Sequence, residues 1–66
     1  MPVKVLHEDL EKSLTAEKGT TVEEIIRKVG VNPETVITEK DGEIVSNKET
    51  VDGDECLHLI NVVSGG

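Results

Sequence analysis

Apolar and polar positions alternate along residues 2–7, PVKVLH, with Val3 and Val5 on the opposite side from Lys4. A period of two marks a strand with one buried face. Leu14 and Ala16 repeat that spacing in EKSLTAE, residues 11–17, and the intervening Glu8-Asp9 reads as a turn, so the two segments are expected to pair as a hairpin. The pattern then changes. In TVEEIIRKVG, residues 21–30, the apolar positions Val22, Ile25, Ile26 and Val29 recur at i, i+3, i+4 and i+7, while Glu23, Glu24, Arg27 and Lys28 face away. Both ends carry stop signals: Thr21 is a good N-cap with Glu24 placed for a capping box, and Gly30 suits the left-handed residue that ends a helix.

Beyond Asn32-Pro33 the period of two returns. TVITEK, residues 35–40, and EIV, residues 43–45, flank Asp41-Gly42, a strong hairpin signal. The stretch NKETVDGDE, residues 47–55, is polar and reads as loop, and CLHLINVV, residues 56–63, reads as a last strand. Two hairpins alone cannot cover the helix stripe. A mixed sheet can, if the last strand lies beside the first in its middle. The expected fold is therefore α+β, a β-grasp of four to five strands packed on one α-helix. Its core would hold Val3, Val5, Leu14, Val22, Ile25, Ile26, Val29, Val36, Leu57 and Leu59, with His58 and Ile60 on the opposite, more exposed face beside Ile37. Residues 1–63 form the expected domain, and 64–66 a flexible C-terminal tail.

Composition narrows what such a domain can do. At 66 residues it is a single unit that hides roughly 60% of the surface its unfolded chain exposes. The chain has no aromatic residue, so the core is aliphatic and leaves little room for a substrate cavity of roughly 300 to 1,000 Å³. A formal charge of −7 repels phosphate backbones, and without aromatic rings there is nothing on which bases could stack, so nucleic acid is not expected as a partner. One cysteine cannot form an internal disulfide, and no apolar run reaches the length of a signal peptide or membrane span. These features predict a cytoplasmic monomer, off the membrane, whose partners are proteins.

Few side chains suggest chemistry. Cys56 and His58 share a strand face, but two ligands do not make a metal site, and acidic Asp54 and Glu55 disfavour a thiolate at Cys56. No metal is expected, and His7 reads as a strand-end residue. Lys4, Lys12 and Lys48 could accept a conjugate, although exposed lysines are ordinary on any surface. His58, Ile60 and Ile37 make a candidate docking patch, weighed against the scattered apolar residues that any surface carries. The most distinctive feature is the C-terminus itself, LHLINVVSGG, where glycines follow the last strand almost directly.

Three features carry a family resemblance: TVEEII at the helix start, VDGDE before the last strand, and the LHLINVVSGG tail. The whole chain resembles the ubiquitin-like β-grasp proteins, and more closely their prokaryotic branch of small archaeal modifier proteins and sulfur carriers of thiamin and molybdopterin biosynthesis. Leu57-His58-Leu59 also resembles the Leu-His-Leu of ubiquitin. The resemblance implies that the Gly66 carboxylate is adenylated by a separate E1-like activating enzyme. That enzyme uses ATP, while this chain binds no cofactor and is not itself an enzyme. Gly65 and Gly66 suit the task physically, because a thread without side chains can enter another protein's nucleotide site. Ser64 and Val63 are the implied recognition positions. Here the chain departs from ubiquitin, which has basic residues before its diglycine, so an activating enzyme of the prokaryotic sulfur-carrier type is expected. The reading placed first is a protein modifier joined to target lysines by an isopeptide bond. A sulfur carrier bearing a C-terminal thiocarboxylate, for a tRNA base or for thiamin or molybdopterin, is the alternative. A non-covalent binding module is the third.

Overall fold

The computed structural model describes residues 1–62, and the expected tail, with Val63, lies outside them. In chain order the elements are β1 (Pro2–His7), β2 (Leu10–Thr15), α1 (Val22–Lys28), a 3-10 turn (Pro33–Thr35), β3 (Val36–Lys40), β4 (Glu43–Val45) and β5 (Glu55–Asn61). The strands form one sheet in the order β2-β1-β5-β3-β4. β5 runs parallel to β1 and antiparallel to β3, so the mixed sheet closes through its last strand, as the helix stripe requires.

Local chemistry explains each junction. Thr21 caps α1, its hydroxyl accepting from the Glu24 N–H at 3.2 Å, and Gly30 follows the helix at a φ of 85°. Lys12 donates to the Val29 carbonyl at 3.1 Å, placing a cation at the negative end of the helix. Asp41 and Gly42 both have positive φ, as a two-residue hairpin turn between Lys40 and Glu43 demands. Asn32 starts the 3-10 turn by accepting from the Glu34 N–H at 2.9 Å, so Thr35, expected in the strand, belongs to the turn instead.

Val22, Ile25 and Ile26 pack onto Val3, Val5, Val36, Leu57 and Leu59, all buried. Leu14 and Val29, expected in the core, are only half-buried at its rim. Val51 is a core residue that the polar loop pattern conceals. It is fully buried, because residues 46–51 are laced to the start of the helix: Val51 N–H donates to Thr20 O, Val22 N–H to Glu49 O and Glu23 N–H to Asn47 O. β5 ends at Asn61, one residue short of Val62, and Val63, the last residue of the expected strand, lies outside the described residues. The ladders run out there: the β1 register stops at His7 opposite Leu59 and β3 begins at Val36 opposite Asn61, so Val62 keeps a single bond, from its N–H to Thr35 O in the preceding turn.

Candidate functional site

The alternation of β5 decides which side chains can meet a partner. Leu57 and Leu59 point into the core, and Cys56, His58 and Ile60 point to the open side of the sheet. The ladders then set their neighbours. Ile60 lies directly across from Ile37, and His58 lies between Leu6 of β1 and Glu39 of β3. Glu39 in turn faces Ile44. The three patch residues singled out from sequence therefore form one contiguous group, Ile37 and Ile60 being 38% and 37% exposed. Ile44, 65% exposed, extends the apolar surface toward the sheet edge. Its signal in the sequence was the Asp41-Gly42 turn, which fixes the register that turns Ile44 outward.

Cys56 is exposed beside Lys4 on the same open face, and the residues around it include the acidic Asp41, Asp54 and Glu55. Among the described residues, no three His, Cys, Asp or Glu side chains converge as a metal site would need. The cavity between β1, β2 and the end of α1, lined by Val5, His7, Leu10, Lys12, Val29 and Val31, measures about 20 Å³, far below the roughly 300 Å³ of a small-molecule site. A larger hollow of about 450 Å³ near Cys56 and Lys4 is open to solvent.

The described part of the C-terminal segment is fixed from both flanks. On the β3 side, Asn61 pairs with Val36 and the Val62 N–H donates to Thr35 O at 3.0 Å. On the β1 side, the Asn61 amide lies 2.8 Å from His7 Nε2 and 2.5 Å from Glu8 Oε1. From the sequence His7 reads only as a strand-end residue and Glu8 only as part of a turn, and nothing marks Asn61 as their partner, because polar residues at strand ends carry no periodic signal. Beyond Val62 lie Val63, Ser64, Gly65 and Gly66, outside the described residues. What the described residues provide is a sheet whose open face carries an apolar group of Ile37, Ile60 and Ile44 among polar side chains, and a last strand whose end is hydrogen-bonded on both flanks.

The profile of the ThiS family matches residues 3–66. Among the solved structures that share the fold are the following three. A ubiquitin of Caldiarchaeum subterraneum superposes with a TM-score of 0.78 at 22% identity, over 100% of this chain and 98% of that one. A ubiquitin-like protein of Trypanosoma brucei gives 0.66 at 18% identity, over 91% of each chain. A thiamine biosynthesis protein, ThiS, of Geobacter metallireducens gives 0.61 at 16% identity, covering 96% and 99%. At these identities the structural likeness is one of fold.

Proposed function

Because the chain belongs to the ThiS family, a family of small carrier or modifier proteins, we propose that its Gly66 carboxylate is the reactive group and that a separate E1-like enzyme activates it. A carboxylate oxygen of Gly66 attacks the α-phosphorus of ATP in the partner's site, pyrophosphate leaves, and an acyl-adenylate forms at the end of the chain. The single observation that carries this reading is Gly65-Gly66, a few residues beyond the last strand of a β-grasp sheet in a chain the ThiS profile spans to residue 66. The glycines keep the thread narrow, and Val63 and Ser64 are the positions the partner reads.

The adenylate has two acceptors open to it. Hydrosulfide supplied by a partner attacks the acyl carbon, AMP leaves, and loss of the proton gives a thiocarboxylate; the ThiS match supports this fate, and we take sulfur carriage as the first reading. A lysine amine attacking the same carbon expels AMP, loses a proton and yields an isopeptide bond. The ubiquitin-like Leu57-His58-Leu59 and the diglycine favour this modifier role as the second reading. In both, His58, Ile60 and Ile37 give the activating enzyme an apolar surface to grip while the C-terminus enters its nucleotide site.

The test is the mass of the protein isolated from its native cell. Replacement of one terminal oxygen by sulfur supports the carrier, and Gly66 joined to lysines of other proteins supports the modifier. A wholly unmodified protein that an E1-like enzyme of the same cell cannot adenylate in the presence of ATP overturns both and leaves non-covalent binding.

A further inference from the structure

Asn61 is the last residue of β5, and its side chain is tied to the far end of β1. The Glu8 carboxylate only accepts hydrogen bonds, so the Asn61 amide turns its NH2 toward Glu8 and its oxygen toward His7. His7 must then carry a proton on Nε2 and donate it to Asn61 Oδ1. The chain of bonds runs His7 to Asn61 to Glu8, each donor with its acceptor.

Two further features give this arrangement weight. Glu8 sits at a φ of 56°, a left-handed conformation that non-glycine residues seldom adopt, and its carboxylate is engaged by Asn61. Asn61 and Val62 are both exposed, so apolar burial does little to hold them. Strand ends with few buried contacts fray. Beside the ladder that pairs Asn61 with Val36, the end of β5 is tethered by His7 and Glu8 on one flank and by the Thr35 carbonyl on the other.

Building on the reading of Gly66 as the reacting terminus, we infer that Asn61 is a positioning residue for that reaction, with His7 and Glu8 holding it. The clasp sets where the sheet releases the chain, and hence the length and starting direction of the segment offered to the activating enzyme. With the clasp closed, the chain is held to the sheet through Asn61 and the Val62 N–H. If the strand lets go back to the buried Leu59, Ile60 and Asn61 lengthen the leash offered to the activating enzyme. Effective concentration at the partner's site falls with leash length to about the −3/2 power, a loss of roughly twofold. Losing the starting direction adds to it, up to about the tenfold that one hydrogen bond represents.

Asn61→Ala and His7→Ala open the clasp, while His7→Gln keeps an N–H donor within reach of Asn61. The first readout is amide hydrogen exchange. Exchange at Asn61 and Val62 is expected to rise about tenfold in both alanine variants, to stay near wild type in His7→Gln, and to remain unchanged at Leu57 in all three. The second is pyrophosphate exchange catalysed by the E1-like enzyme of the same cell. There KM for the alanine variants rises about two- to tenfold with kcat unchanged, and His7→Gln restores it. A wild-type KM in Asn61→Ala, or a fall in kcat alone, overturns the positioning role while the Gly66 reading stands. Unchanged exchange at Val62 overturns the clasp itself. If the wild-type protein supports no pyrophosphate exchange, the Gly66 reading fails and the positioning role falls with it.

Discussion

Lys40 Nζ lies 2.9 Å from Glu55 Oε1, joining the end of β3 to the start of β5 across the sheet. The two sides of the pair differ in setting: the Glu55 side chain is 6% exposed and that of Lys40 35%. Glu55 also accepts from the Asp52 N–H at 3.2 Å, so its carboxylate is engaged on both oxygens. The hydrogen bond to Glu55 and its charge, followed by the charges of Asp52 and Asp41, raise the Lys40 pKa above its ordinary 10.5.

A raised pKa in the folded state means that the folded chain holds this proton more tightly than the unfolded chain does. The resulting stabilisation is complete below the ordinary lysine value and is lost as pH climbs through the raised one. Lys40→Met should therefore melt below wild type at neutral pH, and the gap should narrow above about pH 10.5. Melting temperatures across an alkaline series check this, and a gap that stays constant with pH would remove the ion pair from the explanation.

Thr38 stands in the core, 1% exposed, and among the described residues its hydroxyl finds no hydrogen-bond partner. A buried polar group left unpaired costs about 1 to 3 kcal/mol. Thr38→Val keeps the shape and removes that cost, so urea unfolding should show a gain of about 1 kcal/mol. A loss would indicate that the hydroxyl is bonded in solution.

Val51→Ala should destabilise by about 2 kcal/mol, the scale of burying one valine side chain. An ordinary loop position would change by less than about 0.5 kcal/mol. The residue shows where the sequence stops being legible. Helix α1 announces itself by stripe, cap and terminal glycine, the hairpins by alternation and by Asp41-Gly42, and the strand order by the need to cover Ile25 and Ile26. Each of those signals is local or periodic. Val51 is one apolar residue among polar neighbours, and only its bonds to Thr20 and Gly19 draw it inward. The Asn61 contacts with His7 and Glu8 were hidden for the same reason: partners 54 and 53 positions apart leave no local pattern. The open-face group was readable because alternation along β5 and β3 fixed which side each residue faces.

Deleting Gly66 should leave the melting temperature unchanged, since the core cluster lies between Val3 and Leu59, yet abolish adenylation. Calorimetry paired with pyrophosphate exchange separates the two effects. A truncated chain that is still adenylated and transferred would move the reactive group elsewhere.

Replacing Ile37 and Ile60 together with serine should weaken binding to the activating enzyme by tenfold or more, at about 1 to 2 kcal/mol for each apolar side chain withdrawn from an interface. Both residues are partly exposed already, so the fold should tolerate the change. Titration calorimetry with the E1-like enzyme measures it, and unaltered affinity would exclude this face as the grip.

The pairing of β1 with β5 brings Val3 beside Glu55 and His7 beside Leu59, nearly the full span of the polypeptide. Each hairpin can zip up early from its own neighbours, but the central seam must wait for a slow search over large sequence separations. The seam is also what sets Asn61 within reach of His7 and Glu8. If Asn61 positions the reacting terminus as proposed, a copy whose central seam has not formed would carry the same glycines without a seated root, and competence for activation would report that the sheet has been built correctly.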